Sequence, residues 1–237
     1  LDFSSSIHKD FYSAGSSAVD VSSNILVGRP YGGTAILYRK TLCSSVSILP
    51  TTNPCVTGLK LLTAVGSLML LTVYMPTEYN DDESLEKYLD ACAYLNAMLT
   101  DSDIPHAVIV GDFNCQPGSR FFDVLSHVLL DNDLIISDMV SLSGANNVFT
   151  YCSDSATNTS WIDHIVCSST MNNALSDVLV LLDYICSDHK PLSAELHCAV
   201  IAPFLTVDDD DTNRNATFKV NDWSRVDTLV ANIYDEA

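Results

Sequence analysis

Short apolar runs separated by Gly, Pro and polar pairs fill the first third of the chain, and longer runs with a three- to four-residue period follow. Residues 34–38, 46–49, 59–64 and 68–74 read as β-strands, a run of hairpins punctuated by turn residues. The stretch 61–76, LLTAVGSLMLLTVYMP, approaches membrane-span length. It falls short of the roughly 18 uninterrupted apolar residues that a spanning helix requires. Gly66-Ser67 divides it, which predicts two strands joined by a tight turn at that pair. From 84 to 100 the period changes. Leu85, Tyr88, Leu89, Cys92, Leu95 and Leu99 recur at helical steps, and Asp81, Asp82 and Glu83 place negative charge at the helix N-terminus.

Residues 107–110 are continuously apolar, as expected of a strand buried on both faces. A second helix is predicted after Gly118-Ser119, with Phe121, Phe122, Leu125, Val128 and Leu129 on one face. Strands are predicted at 161–167, 177–182 and 192–198, the last with clean apolar/polar alternation. Residues 1–32 are Ser- and Gly-rich and read as irregular or edge structure. From about 203 the chain turns acidic, which predicts a boundary near Ala202 and a linker or tail over 203–237. Strands interspersed with helices point to an α+β or layered α/β domain in which two sheets pack together under outer helices.

Charge and cysteine usage narrow the choice of function. Eleven Lys and Arg against 30 Asp and Glu give a net charge of −19, so no basic stripe marks a nucleic-acid binder. A nuclease built on this chain must therefore rely on metal ions and local donors rather than on counterion release by Lys and Arg. The eight cysteines include no Cys-x-x-Cys pair, so no zinc site is expected. They read as buried, reduced thiols of an intracellular protein, nuclear or cytoplasmic, with no membrane association. The sequons at Asn158 and Asn215 are short enough to arise by chance.

Four segments carry candidate chemistry. In HAVIVGDFNCQPGS, residues 106–119, an apolar strand ends on Asp112 and Asn114, which share one side if the chain stays extended. A carboxylate there can hold Mg²⁺ or Mn²⁺ and an adjacent amide can position a phosphoryl oxygen or a water; a polar turn after a core strand is the competing explanation. The phosphate loop G-x-x-x-x-G-K-[ST] is missing. In Ser187-Asp188-His189-Lys190-Pro191 an acid and an imidazole precede a strand. Within WIDHIV, Asp163 interrupts an apolar strand, where a buried carboxylate is costly unless paired; it is either a structural acceptor or the group that orients a histidine. Tyr74 ends a strand in VYMP and is either a rim tyrosine or a phosphate contact.

The ordered set VYMPT, VGDFN, WIDHIV and SDHKP resembles the endonuclease/exonuclease/phosphatase family, more narrowly the apurinic/apyrimidinic-like endonuclease domain of non-LTR (LINE-type) retrotransposons, to which GRPYGGTAILYRK also looks similar. The resemblance implies a domain over 1–202 with a four-layered αββα sandwich of two mixed sheets. It implies that Asp112 positions or activates the attacking water and that Asn114 orients water and phosphate. His189 would contact the scissile phosphate, held by Asp163; Tyr74 would also touch the phosphate. Asp188, with Asp112, would bind Mg²⁺ or Mn²⁺. The implied substrate is DNA, nicked for retrotransposition, with a reverse transcriptase continuing the chain. The family's upstream Asn strand and its Gln-Glu metal ligand have no match here, since no Gln occurs before Gln116 and the first Glu is Glu78. The chain therefore reads as N-terminally truncated, with first strands missing. An inactive relic, and a phosphatase or phosphodiesterase acting on inositol phosphates or lipids, are the alternative readings.

Overall fold

A computed structural model describes residues 9–17, 32–153 and 158–200, with the backbone of a strand at Thr217–Val220. In chain order the elements are β1 (Phe11–Ser16), β2 (Thr34–Arg39), a 3₁₀ turn (Lys40–Ser45), β3 (Val46–Leu49), β4 (Val56–Thr63) and β5 (Gly66–Tyr74). There follow α1 (Asp82–Thr100), β6 (His106–Asp112), α2 (Arg120–Asp131), β7 (Leu134–Ile136), α3 (Ser137–Ser141), β8 (Tyr151–Cys152) and β9 (Thr159–Ser160). The remainder is β10 (Asp163–Ser168), α4 (Ser169–Asn173), β11 (Leu175–Val180), β12 (Leu192–His197) and β13 (Thr217–Val220). Six strands form one sheet in the order β3-β4-β5-β6-β10-β7, in which only β5 and β6 run parallel. That parallel step needs a crossover, and α1 supplies it.

The alternation of β6 explains the layering. Ala107 and Ile109 face a core that includes Tyr88, Leu95, Phe121 and Leu125 of α1 and α2. Val108 and Val110 face the opposite way, into a second core with Ala14 of β1 and Leu192, Ala194 and Leu196 of β12. Because both faces are covered, this strand must be apolar throughout. Each fully buried large side chain adds roughly 1.5–3 kcal/mol. The result is an α+β sandwich: helices, the six-stranded sheet, then a second strand layer of β1-β2 and β11-β12-β13.

Both predicted helix starts hold. Asp81 caps α1 by accepting from Ser84 N–H at 2.7 Å, and Ser119 caps α2 by accepting from Phe122 N–H at 3.2 Å. Other expectations are corrected. The hairpin turns at Ala64-Val65 rather than at Gly66-Ser67, because Thr63 pairs with Gly66 and Ser67 is already a ladder residue opposite Leu62. Within the region read as irregular or edge structure, β1 forms and pairs with β2. The strand predicted at 161–167 begins at Asp163, so this acid stands at a strand end and not in an apolar interior. The strand predicted at 177–182 occupies 175–180 with a bulge between Ser176 and Leu179. Gly28 to Tyr31, the acidic run at 208–211 and the sequon at Asn215 lie outside the described residues. Within the segment read as a tail, β13 pairs antiparallel with β12.

Candidate active site

Register assembles the site. Across β5, β6 and β10, Tyr74 stands opposite Asp112, and Asp112 stands opposite Asp163. Tyr74, Asp112 and Asp163 each lie an even number of residues from side chains facing the second strand layer, so all three point to that side of the sheet. At this end of the sheet the second layer gives way to a cleft of about 900 Å³ lined by Tyr74, Glu78, Asp112, Asn114, Asp188 and His189, among others. The residue before Asp112 must be glycine. Gly111 has φ +139°, and a Cβ there would collide with the Val73 carbonyl oxygen.

Asn114 reaches the site by a different geometry from the extended chain expected. Its φ is 49°, in the left-handed region that Asn tolerates. The chain folds back so that Asn114 N–H donates to Asp112 Oδ1 at 2.8 Å, an Asx-type turn. The Asn114 amide then donates to Met75 O at 2.7 Å and to Asp112 Oδ2 at 3.2 Å. One carboxylate therefore accepts from both the backbone and the side chain of the residue two positions on. The polar turn expected of GDFN is present, and it places Asp112 and Asn114 together in the lining of the cleft.

His189 arrives on the loop before β12. Its Nδ1 lies 2.9 Å from Asp163 Oδ2 and its Nε2 lies 4.0 Å from Asp112 Oδ2. The three residues form a cluster whose ligand-type atoms all lie within 4.8 Å of one another. Burial pushes the Asp112 carboxyl up to about 7, and the neighbouring Asp163 charge adds to the rise. Burial acts to lower the His189 pKa, but the Asp163 hydrogen bond and the charges of Asp163, Asp112 and Asp188 outweigh it, and the net shift is upward. Tyr74 is raised as well, by burial and then by Asp112. No Lys or Arg is among the described residues that line the cleft. Two crowded carboxylates with an imidazole and no Lys or Arg beside them suit a hard divalent cation, and oxygen donors fit Mg²⁺ or Mn²⁺.

All six sequence-predicted residues reach this region. Asp112, Asn114, Asp163 and His189 are joined by contacts, and Tyr74 lines the cleft beside them. Asp188 lines the same cleft but lies outside the three-residue cluster; its Oδ1 accepts from Ser187 Oγ at 3.2 Å. Sequence reasoning missed Glu78 and Tyr151 as cleft residues. The Tyr151 ring meets the His189 ring edge-on at 5.2 Å between centroids. It also missed Asp138, which binds the buried His164 beneath the site: Asp138 Oδ2 lies 2.9 Å from His164 Nδ1. The only available signal was that Asp163-His164 places an acid and an imidazole on opposite faces of one strand, so His164 needed a partner of its own.

Solved structures share this fold at low sequence identity. The catalytic domain of APE2 from Xenopus laevis superposes with a TM-score of 0.59 at 19% identity, covering 85% of this chain and 80% of that one. The 3′ phosphatase NExo from Neisseria, bound to a product DNA hairpin, gives 0.56 at 19% identity, with 79% of each chain covered. The endonuclease domain of TRAS1, a telomere-specific non-LTR retrotransposon, gives 0.56 at 16% identity, covering 77% of this chain and 76% of that one. No curated protein matches the chain in sequence. The model of the endonuclease/exonuclease/phosphatase family matches residues 6–189, a span running from before β1 through His189, and the chain belongs to that family.

Proposed function

We propose that this chain is a divalent-metal-dependent DNA endonuclease that nicks target DNA for a retrotransposon. The coarser chemistry, hydrolysis of the nuclease and phosphatase type, follows from family membership. The observation that carries the finer reading is the Asp163–His189 pair facing Asp112 in an open cleft of about 900 Å³. Likeness to the TRAS1 endonuclease domain and the retrotransposon-like GGTAILYRK segment support the biological role.

In this reading Asp163 accepts from His189 Nδ1–H, which leaves Nε2 directed at the cleft. The imidazolium donates from Nε2 to a non-bridging phosphate oxygen and stabilises the charge that develops there. Asp112 accepts a proton from the attacking water. Asn114 fixes the orientation of that carboxylate. Water oxygen bonds to phosphorus as the bond to the leaving sugar oxygen breaks. The leaving oxygen takes a proton from solvent, giving a phosphate monoester and a hydroxyl. A Mg²⁺ or Mn²⁺ ion held by Asp112 and Asp188 would polarise the phosphoryl group. It would also add positive charge to a cleft lined by no Lys or Arg among the described residues.

The test is nicking of supercoiled plasmid in Mg²⁺, with EDTA as control and a phosphoinositide as competing substrate. Nicking that EDTA abolishes is expected. Release of phosphate from the lipid without nicking would replace DNA with a lipid substrate, and turnover of neither would make the chain the inactive relic of the fold.

A further inference from the structure

The loop that carries His189 and the strand that carries Asp163 come from different layers, yet their side chains meet at 2.9 Å. A third segment joins them. Thr150 is fully buried, and its Oγ1 accepts from two consecutive backbone donors, Ile162 N–H at 3.1 Å and Asp163 N–H at 2.9 Å. On the other side, its carbonyl oxygen accepts from Lys190 N–H at 2.6 Å. Next along the chain, Tyr151 forms a backbone bridge with His189, and Cys152 N–H donates to Asp188 O at 2.8 Å. Residues 150–152 therefore form a splint, bonded through their backbone to residues 188–190 and to β9, where Thr150 N–H donates to Ser160 O at 2.9 Å, and through the Thr150 side chain to the Ile162 and Asp163 amides at the start of β10.

We propose that Thr150 is a positioning residue for the Asp163–His189 pair, its hydroxyl fixing the start of β10 while its carbonyl fixes the histidine loop. This deepens the hydrolase reading and rests on it. The hydroxyl matters because a buried N–H that loses its acceptor is costly, and the strand end then shifts to recover one. Main-chain bonds from residues 150–152 to the histidine loop survive any side-chain change. Loss of the hydroxyl therefore moves Asp163 relative to His189 rather than moving both together. Displacements of this size at a reacting centre change kcat more than KM, because the substrate-binding cleft keeps its walls.

The experiment compares the full chain with Thr150→Val, which keeps shape and removes the hydroxyl, and with Thr150→Ser, which keeps the hydroxyl. The downfield Nδ1–H proton resonance of His189, identified by its loss in His189→Ala, reports the pair without requiring activity. Thr150→Val is expected to lose or shift that resonance and to lower kcat for nicking about tenfold or more, with KM within about twofold. Thr150→Ser is expected to keep both. Should Thr150→Val fail to fold, Thr150→Cys, similar in size with a poor acceptor, is expected to shift the resonance in the same direction. An unchanged resonance in the folded Val or Cys variant, or a Ser variant as damaged as Val, overturns the proposal. If the parent chain does not nick in any divalent metal, the DNA-nicking reading fails, while the resonance still decides the role of Thr150.

Discussion

Two carboxylate–imidazole pairs hang from one strand and sit in opposite surroundings. Asp163 and His164 are consecutive in β10, so they face opposite sides of the sheet. Asp163 meets His189 at the mouth of the cleft, where the His189 side chain is 35% exposed and its Nε2 looks toward Asp112. His164 meets Asp138 in the interior, where both side chains are 0% exposed. There every heteroatom is engaged: Asp138 Oδ1 accepts from Ile165 N–H at 2.8 Å, Oδ2 also accepts from Trp161 Nε1–H at 2.8 Å, and His164 Nε2 lies 3.4 Å from Cys115 O. The pairs share a contact distance of 2.9 Å and differ in what remains free. A nitrogen left open to a cleft can act on a substrate, whereas a saturated one can only hold the fold.

The largest effect that separates them is on folding. Asp138→Ala leaves a buried imidazole and two N–H donors without an acceptor, and removing one partner of such a pair costs about 3–5 kcal/mol. That is a large fraction of a domain's stability. Insoluble protein or loss of a cooperative melt is expected. Asp163→Ala should melt within a few degrees of the parent, because its partner is half-exposed and can turn to water. Equal melting temperatures for the two variants would erase the distinction. Activity should reverse the order: His189→Ala is expected to reduce nicking by about 10²–10⁴-fold with its circular dichroism unchanged. Retained nicking by that variant would move the chemistry elsewhere in the cleft.

Much of this was legible in the sequence because it is written in local patterns. Tyr88 and Leu95 recur at helical spacing, Ser119 precedes an apolar helix face, and HAVIVGD combines an unbroken apolar run with an acid at its end. The four short motifs that hold Tyr74, Asp112, Asp163 and His189 were legible as an ordered set resembling the family, whereas each alone reads as readily as a turn, a surface loop or a rim residue. What could not be read was anything that depends on register between distant segments. Asp138 lies in SDMV and resembles a solvated acid; only the placement of α3 against β10 buries it. Thr150 follows a loop and becomes a pivot only because β10 starts beside it. The sharing of one side by Asp112 and Asn114 came about through a left-handed Asn instead of an extended chain, so proximity was right and its cause was not. FYSAGS lacks alternation strong enough to announce β1, which forms because β2 offers it an edge.

A smaller and pH-dependent effect sharpens the contrast. Asp112 rises from its ordinary 3.8 to about 7 in the folded chain, through burial and the nearby Asp163 charge. The folded state thus keeps a proton that the unfolded state releases near pH 4. This contribution to stability is complete below about pH 4 and is lost as pH rises through about 7. His189, also raised, acts with the same sign: its contribution is present below about 6.5 and lost above its folded value. Without divalent metal, Asp112→Asn should therefore melt higher than the parent at pH 8, and the gain should shrink toward pH 4. The lost Asn114 contact with Oδ2 will trim it. A gain independent of pH would mean that burial of charge is not what strains the cleft.

The smallest effect belongs to the buried pair. Trp161 Nε1–H is one of three donors on the Asp138 carboxylate, and Trp161→Phe removes that donor while keeping an aromatic ring. Asp138 retains His164 and Ile165, so the cost should be near that of one charged hydrogen bond, about 1.5–3 kcal/mol, plus a packing loss. Nicking should be unchanged once the protein is held well below its melting temperature, since nothing in the Asp138 network reaches the open side of Asp163. A fall in kcat at constant fold would show that the two faces of β10 are mechanically coupled, and that the interior pair sets the position of the one in the cleft.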